Sequence, residues 1–349
     1  MLWSTPDTVT PQRECALSSQ FAGSITGIGS LPHRAADEAV ALVARRCHEI
    51  PFWPQLPQVS EWEGIIGQGL TVLGDLIEPR ANGYGYEVKP GTVDAVVAAL
   101  HGSTGALDSV GFAAFRRALD QHCFASARMI KGQIEGPITL ATHLFYRGRP
   151  FIADESLFAA VAFHVSQLVC WQLNELCSYW KPLMLFVDEP ALCLTDSFPD
   201  GIPLERRLSA LGAILRDIRS RGAVAGLHCC AARPFARMLA AAPDIVSFDA
   251  HRELEYFFSY PEAIKFIERG GWVAYGLVPN SADLVSLEPA ALFNRWLIAA
   301  SMTSDPQLLA QRSLITATCG LGLLDQNRVE QSFRLSSGVG ELIRRLAGI

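Results

Sequence analysis

The chain has 349 residues, half of them apolar and 18% charged, with a net charge of −6. That balance sets aside a disordered chain, and basic residues that form no stripe set aside nucleic-acid binding. The length suits two ordinary domains or one large α/β barrel, which typically needs about 250 residues plus insertions.

Residues 1–20 are polar and proline-containing, with no basic segment leading into an apolar run. They read as a flexible tail rather than a signal peptide. A first strand is expected over 24–31, with glycines at its end, and a helix over 34–50 with Ala39, Val40, Val43 and Ala44 on one face. A weak second strand follows over 52–56. The stretch 57–91, rich in Gly, Pro, Trp and Tyr and without a period, reads as a functional loop or lid inserted before the third strand. Helical patterns return at 93–100 and 110–122.

From there the alternation is regular. Strands are expected over 129–137, 183–190, 224–227, 245–249, 272–278 and 313–317. Helices alternate with them over 155–180, 204–221, 234–241, 262–269, 289–300 and 329–346. The uncharged stretch 157–173 holds His164, Ser166 and Gln167 and reads as a buried helix, since a membrane span needs about 20 mostly apolar residues. Nine scattered cysteines without a secretory signal point to a reduced, cytoplasmic protein with no membrane partner.

Eight strand candidates, each a continuous apolar run, alternate with helices and predict a parallel sheet closed into a (β/α)8 TIM barrel. One such domain is expected over 21–349. A doubly wound open sheet is the alternative, but neither G-x-G-x-x-G opening a helix nor G-x-x-x-x-G-K-[ST] occurs.

In a barrel, chemistry gathers at the C-terminal strand ends. The first strand ends in Gly29, Ser30 and His33, the third near Glu135-Gly136-Pro137, and the fourth in Asp188-Glu189-Pro190. The fifth ends in His228-Cys229-Cys230, the sixth in Asp249 and the eighth in Cys319-Gly320. His228 and Cys230 are two apart and share a face in an extended chain, whereas Cys229 alternates away and reads as packing. With Cys319 across the mouth they make a possible Cys2His zinc set, its fourth position open to a carboxylate or a substrate. Asp188 and His33 are the candidate catalytic side chains. Blander readings stand beside these. A cysteine on an apolar strand is commonly core, a single histidine is commonly hydrogen-bonded in place, and Asp188-Glu189 could cap a helix or pair with an arginine.

Six motifs in order carry a resemblance: Ile28-Gly29-Ser30-Leu31-Pro32, Gly136-Pro137-Ile138-Thr139, Val187-Asp188-Glu189-Pro190-Ala191-Leu192, His228-x-Cys230, Val246-Ser247-Phe248-Asp249 and Cys319-Gly320-Leu321. Over residues 24–325 the chain resembles the catalytic half of cobalamin-independent methionine synthase, which belongs with uroporphyrinogen decarboxylase in one barrel superfamily. The resemblance implies that His228, Cys230 and Cys319 hold zinc and that homocysteine binds through its thiol. It implies that Asp188 holds the amino group of that substrate, with Ile28, Gly29, Ser30 and Glu189 beside it. A free thiol has a pKa of about 8.5, and coordination to zinc deprotonates it to the attacking thiolate.

Two departures qualify the match. Asp249 stands where the family has a glutamate ligand and is one methylene shorter, so it either binds with shifted geometry or does something else. His143, counted with the substrate-side residues, stands where folate-using members carry a tryptophan, and the separate N-terminal barrel of the full-length enzyme is missing. Both imply a folate-independent enzyme taking its methyl group from a methylcorrinoid or a corrinoid protein partner. Three alternatives remain: a methyltransferase for another thiol such as coenzyme M, a porphyrin-type decarboxylase, and a non-catalytic metal- or amino-acid-binding barrel.

Overall fold

A computed structural model describes residues 17–349, apart from 180, 198–200, 282–283 and 285. The expected tail lies outside the described residues up to position 16, and beyond it Leu17 and Phe21 are already buried.

The strands among the described residues are β1 (Ile77–Pro79), β2 (Tyr86–Val88), β3 (Ile130–Glu135), β4 (Leu144–Tyr146), β5 (Arg149–Pro150), β6 (Leu183–Asp188), β7 (Val224–Cys229), β8 (Ile245–Phe248), β9 (Trp272–Val278) and β10 (Ser313–Ala317). Six of them form one curled, all-parallel sheet in the order β10-β9-β8-β7-β6-β3. Spatial order follows chain order without a reversal, so this sheet lacks the switch point of a doubly wound fold.

Side chains alternate between the two faces of each strand. Leu185, Val187, Ala225, Leu227, Val246, Phe248, Val273, Tyr275 and Ile315 join the large core that the helices share. Met184, Phe186, Val224, Ile245, Trp272 and Leu314 form a second cluster on the other face, sealed by Leu17, Phe21 and Ile50. Toward the C-terminal strand ends that inner face turns polar. Register places Glu135 beside Asp188, Asp188 beside His228, and His228 beside Ser247.

Six regular strands stand where the sequence predicts eight. The first two candidates make only isolated parallel bridges, Ile25 to Ile315, Ser30 to Gln55 and Phe52 to Lys131. Isolated backbone bonds tie them to their neighbours, such as Ile315 N to the Ser24 carbonyl at 3.0 Å and Gln55 N to that of Gly29 at 3.1 Å, and side chains take other carbonyls nearby. Thr26 Oγ1 donates to the Ile50 carbonyl at 2.9 Å, Lys131 Nζ to Ile28 at 2.8 Å, and Gln133 Nε2 to Trp53 at 2.9 Å. Pro51 and Pro54 bring no N–H to a ladder either.

The stretch 57–91 also differs from expectation. It contains the helix Ile65–Leu70 and the antiparallel pair β1–β2, which joins β4 and β5 in a small second sheet of order β1-β2-β4-β5. Strands of two or three residues are too short to show a period in sequence. The helix Glu155–Cys177 is long and apolar enough to cross a membrane, and half of that apolar window is buried in the fold. Its Gln172 accepts a hydrogen bond from Trp53 Nε1 (3.1 Å) and donates to the Gln133 carbonyl (3.2 Å).

At the end of the sheet the register slips by one residue between Thr316 and Ala317, which pair with Gly276 and Val278. A Cβ at Gly276 meets the Phe248 carbonyl oxygen at 2.5 Å and Thr318 Cα at 2.9 Å. Both obstacles are backbone and cannot rotate aside. Gly276→Ala is therefore expected to lower unfolding free energy by about 1–3 kcal/mol in urea titrations; unchanged stability contradicts this packing.

Candidate metal centre

His228 lies near the end of β7 on the inner face, and Cys230 follows one residue past the strand. Cys319 lies two residues past β10. A ring nitrogen of His228 and the two Sγ atoms lie within 4.8 Å of one another. The sulfurs themselves are 3.5 Å apart, within hydrogen-bond reach of each other. Two thiolates bound to one tetrahedral zinc, at about 2.3 Å each, are about 3.8 Å apart, so the pair already stands close to that spacing. Cys229 is fully buried in the core, on the opposite face.

The imidazole is held in place. Its Nδ1 is 2.9 Å from Ser247 Oγ, while Nε2 is buried without a hydrogen-bond partner among the described residues. A second polar group on one ring nitrogen fixes the orientation and tautomer of a ligating histidine. Ser247 is the single polar residue of β8, and that interruption of an apolar run was the sequence signal for it. The neighbouring Cys230 and His228 draw the Cys319 thiol below its ordinary range, against burial that raises it. Cys319 in turn, with burial, raises Cys230.

The loop carrying Cys319 is pinned from two sides. Thr318 Oγ1 hydrogen-bonds Asn280 Oδ1 at 3.1 Å, and Leu321 N donates to the Ser30 carbonyl at 2.8 Å. A Cβ on Gly320 lies 3.0 Å from that of Ser30, so only a bare backbone leaves this approach unstrained. Ile28, Gly29 and Ser30 are thus brought against the Cys319 loop. The Ile28 and Gly29 carbonyls accept from Lys131 Nζ and from Gln55 N. Asn280 was missed in sequence, where nothing distinguishes it from an ordinary loop residue.

Asp188 sits beside His228 in register, buried, with Oδ1 lacking a hydrogen-bond partner among the described residues. Burial pushes its carboxyl up to about 6, against the pull of His228 and Lys131. Glu189 points elsewhere. Its carboxylate accepts from Ile138 N (2.9 Å), Thr139 N (2.7 Å) and Thr139 Oγ1 (2.7 Å), capping the helix Pro137–His143.

Other candidates are not brought to the three soft donors. Asp249 is the N-cap of the helix Ala250–Ser259, its Oδ1 accepting from Arg252 N at 3.0 Å with Arg252 Nη1 3.8 Å from Oδ2. A short acid just after a strand and just before a helix satisfies the first turn, and here that local demand takes the carboxylate. His33 is buried with Glu38, Glu330 and Arg45 as its charged neighbours, and burial lowers it. His143 hydrogen-bonds the Thr139 carbonyl through Nδ1 at 2.9 Å, and its ring packs 4.6 Å from that of Tyr84.

No protein-family model and no curated protein matches the chain. Solved structures do. A B12-independent methionine synthase from Shewanella sp. W3-18-1, in complex with selenomethionine, is 15% identical over 92% of this chain and 98% of that one, with a TM-score of 0.58. A GH20 catalytic module of the pneumococcal exo-β-D-N-acetylglucosaminidase StrH is 10% identical over 93% of this chain and 83% of that one, with a TM-score of 0.47. A family 26 mannanase from Cellulomonas fimi is 14% identical over 89% and 78%, with a TM-score of 0.33. The first likeness is one of fold; the other two are too low to carry an argument.

Burial raises Glu189 from the ordinary 4.5 to about 7 against its hydrogen bonds. The folded chain therefore holds a proton that the unfolded chain has released, and this contribution to stability, complete below about pH 4, is lost as pH rises through about 7. The stability of wild type relative to Glu189→Gln is expected to fall between about pH 5 and about pH 8 in paired urea titrations of metal-free protein. A difference that grows with pH contradicts the assignment.

Proposed function

We propose that the chain is a zinc-dependent thiol S-methyltransferase, with homocysteine as acceptor and methionine as product, acting in the reducing cytoplasm. The observation that carries this reading is the convergence of His228, Cys230 and Cys319, with His228 Nε2 buried and without a hydrogen-bond partner among the described residues. Closure of the sheet into an eight-stranded barrel through the three isolated bridges belongs to the same reading, because it brings β10 round to the first segment and Cys319 over to Cys230.

Three soft donors rather than four match the ligand count of a catalytic zinc site, which keeps one position open. When bound, zinc supplies the Lewis acidity that keeps a substrate thiol deprotonated near pH 7. The residues around it position and neutralise. Ser247 fixes the His228 ring, Asn280 and Ser30 fix the Cys319 loop, and Asp188 offers an unpartnered oxygen to the amino group of the acceptor. The likeness in fold to a methionine synthase captured with selenomethionine supports an amino-acid thioether as the product class.

The donor is proposed to be a methylcorrinoid delivered by a corrinoid protein. His143, standing where folate-using relatives in the resembled family have tryptophan, is engaged by the Thr139 carbonyl and by Tyr84. A porphyrin-type decarboxylase needs cationic clamps for several acidic groups. Arg80 instead pairs with Glu87 and covers Phe145, while Arg233 pairs with Glu253 and covers Tyr256.

Elemental analysis is expected to find about one zinc per chain, lost in Cys230→Ser and Cys319→Ser, with Ser247→Ala weakening zinc about 10–100-fold. Homocysteine with methylcobalamin is expected to give methionine, and homocysteine with methyltetrahydrofolate none. Purified protein that holds no zinc and is indifferent to both cysteine changes overturns the reading. Methionine from the folate donor alone overturns the choice of donor.

A further inference from the structure

The inserted stretch 57–91 carries none of the three soft donors, yet its first part reaches the turn after Cys319 by two routes. The first is direct. Gln58 Nε2 donates to the Gly322 carbonyl at 3.3 Å, and a Cβ on Gly322 lies 2.9 Å from Pro57 Cγ. The second runs through the buried side chains of Gln55, Gln68, Ser109 and Glu63. Ser30 Oγ donates to Gln55 Oε1 at 3.3 Å, and Gln55 Nε2 to Gln68 Oε1 at 2.9 Å. Gln68 Nε2 donates to Ser109 Oγ at 3.4 Å, and Ser109 Oγ to Glu63 Oε2 at 2.8 Å.

The direction of this chain is set at its far end. A carboxylate only accepts, and Glu63 takes the Ser109 proton together with the backbone N of Val110 (2.7 Å), where the helix Val110–Asp120 begins. Ser109 is left with lone pairs, which accept from Phe112 N (3.2 Å) and from Gln68. Gln68 therefore turns its nitrogen to Ser109 and its oxygen to Gln55, and Gln55 turns its nitrogen to Gln68 and its oxygen to Ser30. The Ser30 hydroxyl gives its proton inward, while its carbonyl accepts from Leu321 N at 2.8 Å. Leu31 N, donating to the Gln55 carbonyl at 2.9 Å, ties the same two segments through the backbone. A slip anywhere along the chain leaves a buried donor or acceptor unanswered, which is what lets such a network hold a turn in one place.

We infer that the segment 57–70 is a clamp on the Cys319 turn, with Gln58 and Gln68 as positioning residues of the metal centre. The role at the metal rests on the thiol-activation reading; the clamp itself does not. Gln58 grips the turn at Gly322, and Gln68 acts on it through Gln55 and Ser30.

Two measurements test this. In metal-free protein, amide exchange over residues 319–324 is expected to be about tenfold or more faster in Gln58→Ala and in Gln68→Met than in wild type. In competition with a chromogenic chelator, both variants are expected to bind zinc about 10–100-fold more weakly. Asp154→Ala, which removes the N-cap of the helix Glu155–Cys177, controls for lost stability alone and is expected to shift neither. Because Gln68 acts through Ser30, Gln68→Met is expected to add little to Ser30→Ala. If Gln58→Ala and Gln68→Met match Asp154→Ala in exchange, the clamp is overturned. A full effect of Gln68→Met on top of Ser30→Ala overturns the route through Ser30. Faster exchange with zinc affinity unchanged overturns the role at the metal centre. Wild type that takes up no zinc sinks the thiol-activation reading and that role with it, while the exchange comparison still decides the clamp.

Discussion

Because neighbouring strands run parallel and in register, one residue from each arrives at the same height on the same face of the sheet. In β3, β6, β7 and β8 that row reads Glu135, Asp188, His228, Ser247. Below it the same face is filled by Met184, Phe186, Val224, Ile245 and Trp272. The candidate site therefore sits on an apolar plug, with few competing polar groups beneath it, and each polar side chain must find its partner within the row or from a ligand. Ser247 answers His228, while Asp188 and Glu135 are left with oxygens unanswered.

The first two segments of the sheet show the same economy of partners. Their carbonyls at Ile28 and Trp53 are met by Lys131 and Gln133, inward side chains of β3 two layers and one layer below Glu135 respectively. Burial lowers Lys131 to about 8, against the pull of Asp188. The lysine thus ties the loosely paired segment carrying Gly29 and Ser30 to β3. Ser30 in turn holds Leu321 and, with it, the turn after Cys319. This chain of backbone and side-chain bonds helps to hold both ends of the curled sheet, where Cys319 meets His228 and Cys230.

Much of this was legible in the sequence where periodicity and chemistry coincide. His228 and Cys230 sit two apart on an extended run, and alternation alone separates them from Cys229, which is buried in the outer core. Asp249 shows the opposite case. An aspartate between strand and helix reads the same whether it ligates or caps, and only the bond from Arg252 N shows that it caps. Glu189 divides from Asp188 in the same way, since adjacent residues on a strand end face opposite sides. The strands β1, β2, β4 and β5 left no signal because they are two or three residues long. The two bridged segments read as strands because their apolar composition is that of strands; the side-chain bonds that supplement their isolated bridges come from β3, some 80 to 100 residues away.

The central claim is that Cys230, Cys319 and His228 make a metal centre whose remaining position takes a substrate sulfur. Zinc K-edge X-ray absorption on the zinc-loaded protein measures this directly. The spectrum is expected to show two sulfur neighbours at about 2.3 Å, rising to three when homocysteine is added. A shell with no sulfur, or a sulfur count that homocysteine leaves at two, would contradict the account.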